Sequence, residues 1–158
     1  SSLNDILLLI EGGGNATTKS RRHEVIHMLR VPSRLPTEVE ELVTRVIGCC
    51  ITVHRSLGPG LLEGIYSRAI CLELTAAGIP FERELEIPVS YRDELLCVQR
   101  LDIVADGLIV LEVKSVERLV PVHHAQLLSY LRISRLKVGL LVNFNVPVLQ
   151  DGLKRIVL

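Results

Sequence analysis

The chain has 158 residues, a length that suits one ordinary domain. Its 18 basic and 18 acidic side chains cancel, which argues against a polybasic coat for nucleic acid or membrane, although a local patch stays open. At 48% apolar the chain is too hydrophobic to be disordered, and 3% aromatic residues with no Trp argue against a base-stacking platform.

Residues 1–35 differ from the rest. They hold Gly12-Gly13-Gly14, a polar run to Arg22 and the closing Pro32, with Pro36 just beyond. This reads as a poorly ordered N-terminal extension, or a loosely docked helix around Glu24–Leu29, ahead of a domain at 36–158. The apolar run Ile6–Ile10 is too short for a secretory core and no basic residue precedes it, so the sequon at Asn15 reads as chance. No apolar stretch approaches the roughly 20 residues of a membrane span.

A first helix is expected from Thr37, which has capping-box spacing to Glu40, through apolar residues at three- and four-residue steps to Leu57. Gly58-Pro59-Gly60 ends it. A second helix runs from about Leu61 to Ala77 and stops at Gly78 and Pro80. The period then changes to two. Phe81, Leu85, Ile87 and Val89 alternate with Glu82, Glu84 and Glu86, as in a strand with one wet face. Arg92-Asp93-Glu94 turns into a strand over Leu95–Val104, and Ala105-Asp106-Gly107 turns again. Leu108–Val113 is nearly all apolar and should be a central strand covered on both faces. A helix over Val122–Arg132, a buried strand over Leu136–Phe144 and a last edge strand over Leu153–Leu158 complete an α/β order α-α-β-β-β-α-β, with one further β.

Cys49, Cys50, Cys71 and Cys97 lack metal-ligand spacing and sit among apolar neighbours. They read as reduced core thiols of a cytoplasmic protein.

The strongest chemical feature is an acidic pair around the second hairpin. Asp102 lies near the end of one strand and Glu112-Val113-Lys114 near the end of the next. Glu112 and Lys114 are two apart and share a face. If the register makes Asp102 and Glu112 neighbours, the two carboxylates repel each other and demand a cation, and their hard oxygens suit Mg²⁺ or Mn²⁺. Glu112 interrupts an apolar run, and Asp102 sits between Leu101 and Ile103, where a charge is costly unless paired. The bland alternative is a set of solvated charges at strand ends.

Glu63 falls in the first turn of the second helix, with Tyr66 one turn on, where its hydroxyl can bond inward. His54 lies on the apolar stripe of the first helix and reads as a satisfied core residue. Gln126 and Tyr130 share a helix face with Val122, which should pack on the sheet. A buried Gln there needs a partner: an active-site carboxylate, a water, a substrate phosphate or simply backbone. His123 and His124 point apart and read as surface or rim residues.

Gly60-x-x-Glu63-x-x-Tyr66 follows Val53-His54-Arg55-Ser56-Leu57-Gly58-Pro59. After it come Arg100-Leu101-Asp102, Leu111-Glu112-Val113-Lys114 and Ala125-Gln126-Leu127-Leu128-Ser129-Tyr130-Leu131. Together these resemble the GxxExxY family, grouped with the PD-(D/E)xK nuclease-like superfamily, over about residues 37–158. The resemblance implies a restriction-endonuclease-like core, a mixed sheet flanked by helices. It makes Asp102 and Glu112 metal ligands for Mg²⁺ or Mn²⁺, and Lys114 the water-orienting base or electrostatic stabiliser. Glu63 matches the helical acid that completes the site, and Gln126 and Tyr130 would contact substrate phosphate or the metal water. Leu101 stands where the superfamily's name has proline. The implied function is metal-dependent hydrolysis of phosphodiester bonds in DNA, or less readily RNA. The alternative is a non-catalytic interaction or nucleic-acid-binding module. The partners expected are therefore nucleic acid and a second copy of the chain, with no membrane. Phosphate contacts are sought among Arg55, Arg68, Arg100, Arg118, Arg132, Arg135 and Lys137.

Overall fold

The computed structural model describes residues 35–158. The expected extension over 1–35, with its helix around Glu24–Leu29, lies outside the described residues save Leu35. The chain divides into two compact units, residues 1–48 and 49–158. Helix α1 spans Thr37–Leu57. It starts on backbone bonds: the Pro36 carbonyl accepts from the N–H groups of Val39 and Glu40 at 3.0 and 3.1 Å. Within the first unit its residues Leu42, Val43, Val46 and Ile47 are buried.

In the second unit α1 ends where Gly58 takes φ 67°, a left-handed conformation that a residue with a Cβ adopts only at a cost. Helix α2 covers Glu63–Ala76 and closes with bonds from Gly78 N–H to Thr75 and from Ile79 N–H to Leu74. Then come β1 (Phe81–Tyr91), β2 (Glu94–Ala105), β3 (Ile109–Lys114), α3 (Pro121–Ser134), β4 (Val138–Asn143), a short 3₁₀ turn at Leu149–Gly152 and β5 (Leu153–Val157). The five strands pair in chain order. All neighbours are antiparallel except β3 and β4, which run parallel across α3. The two hairpin turns rest on Arg92-Asp93 and Asp106-Gly107, all four at positive φ. The result is the α/β architecture that the residue pattern predicts, with β5 as the additional strand.

Register fixes which side chains share a face. Val110, Gly139 and Ile156 form one row across β3, β4 and β5, and Glu112, Leu141 and Lys154 form the next. Val104, Val110, Leu141 and Ile156 of this face pack with Leu127, Tyr130 and Leu131 of α3. Gly139 permits that approach, because a Cβ there would lie 2.9 Å from Leu127. The alternate residues Ile109, Leu111, Val113, Leu140 and Val142 lie on the other face and are also fully buried. The central strands are thus covered on both sides, as their continuous apolar runs require.

The β1–β2 ribbon outruns the sheet, because β3 pairs with β2 only over Ile103–Ala105. Just beyond that point Leu101 and Ile87 are still buried against α3, but the far end of the ribbon is open. Leu95 and Leu96 are 61% and 63% exposed, and Tyr91 and Val98 are exposed as well. This corrects the expectation that all four cysteines are core residues. Cys49 and Cys50 are buried, but Cys71 is half-buried and Cys97, on the ribbon, is exposed.

Candidate active site

The site forms where β2 and β3 part. The last β2–β3 pair is Ile103 with Leu111, and one step further along that register Asp102 meets Glu112. Asp102 does not lie idle there: its Oδ2 accepts the Val113 N–H at 2.8 Å, replacing the ladder bond that the parting strands no longer make. Glu112 is only 4% exposed. Its Oε1 accepts from Lys114 Nζ at 3.0 Å, two residues on along the same face, while Oε2 is buried with no partner. Burial, then the Asp102 charge, push the Glu112 carboxyl up to about 7 against the pull of Lys114. Burial also raises Asp102, opposed by the Val113 bond and the Lys114 charge. For Lys114, burial alone would lower the ammonium. The hydrogen bond and charge of Glu112, with the charges of Glu63 and Asp102, outweigh it and hold Lys114 protonated above its ordinary value.

Glu63 reaches the same place from α2. Its Oε2 accepts the Ser115 N–H at 3.3 Å, just past Lys114. The glycine-rich loop ahead of α2 is built to allow this. The Tyr66 hydroxyl donates to the Gly58 carbonyl at 2.6 Å and accepts from Leu61 N–H at 3.1 Å. The Tyr66 ring is fully buried and stacks on Phe144, with centroids 4.5 Å apart. Ser115 Oγ donates to the Leu61 carbonyl at 2.5 Å, so loop, helix and strand end are tied together. Tyr66 therefore shapes the loop that presents Glu63.

Asn143, 1% exposed, does the same from β4. Its Nδ2 donates to the Val116 carbonyl at 2.9 Å, and its Oδ1 accepts from the N–H groups of Val116 and Asn145 at 3.0 and 3.3 Å. With the Phe144 N–H donating to the Lys114 carbonyl at 2.8 Å, this fixes the turn after Lys114. Asn143, Ser115 and Gln99 escape sequence reasoning, since an isolated amide or hydroxyl at a strand end carries no periodic signal. Glu84 reads in sequence only as a wet-face residue. It takes φ 54° between the pairs Arg83–Ile103 and Leu85–Leu101, and its charge acts on Asp102.

Gln126 and Tyr130 stand on α3 as expected, but their surroundings differ. Val122 is exposed, so the first turn of that face does not pack on the sheet, and Gln126 is half-buried. Its Nε2 donates to the Tyr130 hydroxyl at 2.7 Å, and that hydroxyl donates to Gln99 Oε1 at 3.4 Å. The partner of Gln126 is thus a side chain on its own helix. Burial raises the Tyr130 phenol, as do the Glu112 and Asp102 charges, so Tyr130 shares the field of the acidic pair. His54 is a satisfied core residue, with Nε2–H donating to the Val146 carbonyl at 2.7 Å. His123 caps α3, its Nδ1 accepting the Val120 N–H at 3.1 Å.

Among the described residues, no group of three or more His, Cys, Asp or Glu side chains is disposed to hold a metal ion. The expected trio Asp102, Glu112 and Glu63 shares one electrostatic neighbourhood without closing into a ligand cluster, because Val113 holds Asp102 and Ser115 holds Glu63. No helix among them is long and apolar enough to cross a membrane.

The model of the PD-(D/E)XK nuclease superfamily matches residues 40–156, and the chain belongs to that superfamily. Neither the curated proteins nor the solved structures contain a match.

Proposed function

We propose that the chain is a metal-dependent nuclease-like protein of the GxxExxY type, acting on phosphodiester bonds of DNA before RNA. The observation that carries this reading is the buried Glu112 side chain. One oxygen is bonded to Lys114, the other has no partner, and Asp102 stands alongside. A buried carboxylate oxygen without a partner is costly, and a cation between two carboxylates removes that cost. The donor set fits a hard divalent ion, so Asp102 and Glu112 would hold Mg²⁺ or Mn²⁺, with Glu63 at the margin. When bound, such an ion supplies Lewis-acid stabilisation of charge on a phosphodiester.

The remaining chemistry falls to the chain's own groups. Lys114, bonded to Glu112, would act on the phosphodiester or the attacking water, as the water-orienting base or as an electrostatic stabiliser. Ser115 and Tyr66 keep Glu63 at the edge of the site. Tyr130 keeps its proton and, with Gln126, offers hydrogen bonds to a phosphate. Residues 36–158 form the functional domain in this reading, and four cysteines outside any disulfide suit a cytoplasmic setting. Cleavage of a panel of DNA and RNA substrates, titrated with Mg²⁺ and Mn²⁺, tests it. Metal-dependent cleavage of at least one substrate is expected, and no cleavage of any would overturn the catalytic reading.

One observation favours the second reading, a non-catalytic module: the exposed apolar ribbon of Tyr91, Leu95, Leu96 and Val98. A protein without cleavage whose association depends on those side chains would establish it.

A further inference from the structure

Asp102, Glu112 and Glu63 outnumber Lys114, and Lys114 is already bonded to Glu112. A polyanion approaching this site meets net negative charge, or neutrality once a divalent cation is held. Attraction for a nucleic-acid backbone must come from basic groups beside the site. Three of the seven basic residues singled out from sequence serve this poorly. Arg132 and Arg135 lie at the C-terminal end of α3, and Lys137 lies just before β4. That is the opposite end of the sheet from Lys114 and Asn143, which pair where β3 and β4 finish.

The register supplies a different residue. Glu112 pairs with Leu141 and Leu141 with Lys154, so Lys154 lies in the same cross-strand row as Glu112 and points to the same face. Two strand spacings, about 10 Å, separate the two positions. Leu141 between them is buried, whereas Lys154 is exposed at the start of β5. Its neighbour Arg155 pairs with Leu140 and belongs to the opposite face. Lys154 therefore stands on the site's own face and at its own end of the sheet.

We propose that Lys154 is a substrate-binding residue that takes a backbone phosphate of a polynucleotide flanking the bond held at Asp102 and Glu112. The inference rests on the nuclease reading above. As a phosphate contact, Lys154 adds affinity without base specificity and without touching the reacting atoms.

The test is the salt dependence of binding for fluorescein-labelled single-stranded and duplex DNA. It uses the full chain with Mn²⁺ in a Lys114→Met background, with Lys154→Met added and Lys137→Met as a control of equal charge change. Loss of one phosphate contact should flatten the slope of log affinity against log salt by about 0.7 to 0.9 in Lys154→Met. Lys137→Met should leave the slope unchanged. In the parent with Lys114 intact, Lys154→Met should raise KM and leave kcat alone. Equal slopes in Lys154→Met and its parent, where the parent binds, would overturn the assignment of Lys154 alone. A wild-type chain that neither binds nor cleaves DNA would overturn the nuclease reading and this inference with it.

Discussion

Glu112 sets the acid–base behaviour of the protein. A carboxyl whose pKa is 4.5 unfolded and about 7 folded takes up a proton on folding between those values. Its contribution to stability is therefore complete below about pH 4.5 and is lost as pH rises through about 7. Asp102, also raised, adds in the same direction. The metal-free protein should lose up to roughly 3 kcal/mol between these limits. Glu112→Gln should flatten that dependence and be the more stable form above pH 7. Denaturant melts across the range measure it, and a wild-type protein that gains stability as pH rises through the window would contradict it. Lys114→Met removes the charge and keeps the stem. The variant should still bind DNA, while cleavage falls by about 10² to 10⁴, the usual loss on removing a positioned catalytic group. Equal cleavage rates in variant and wild type would place the activity elsewhere.

At the scale of elements, the candidate site depends on three connections that converge after Lys114: the Tyr66 loop, Ser115 and Asn143. Tyr66→Phe keeps the ring on Phe144 but leaves the Gly58 carbonyl and Leu61 N–H without their partner. A loss of about 1–3 kcal/mol in stability is expected by thermal melts, with Glu63 less firmly placed. A Tyr66→Phe variant as stable as wild type would remove this role. How far these elements were legible follows from what each one leaves in the sequence. Periodicity identifies α1, α2 and β1, since burial on one face imposes a repeat, and continuous apolar runs identify β3 and β4. Glu112 and Asp102 are visible because they break apolar runs. Asn143 and Ser115 are not, because their roles exist only through partners 27 and 52 or 54 residues away. Cys97 and Leu95 mislead for the opposite reason. They carry the apolar pattern of a core strand, yet β3 stops pairing before it reaches them.

For the whole molecule, neutral net charge carries little information, because function depends on where the charges sit. The fold gathers Asp102, Glu112, Lys114 and Glu63 at one end of β3 and sends Arg132, Arg135 and Lys137 to the other. The central claim is that Asp102 and Glu112 together hold a divalent cation, and calorimetric titration with Mn²⁺ tests it most directly. Asp102→Asn is the better comparison than Asp102→Ala, because an amide oxygen still accepts the Val113 N–H while the charge is gone. Above about pH 7, where Glu112 is ionised, wild type should bind Mn²⁺ at one site, and binding should weaken as pH falls below that value. Asp102→Asn should fold normally and show no binding heat; a variant that binds Mn²⁺ as tightly as wild type would contradict the assignment.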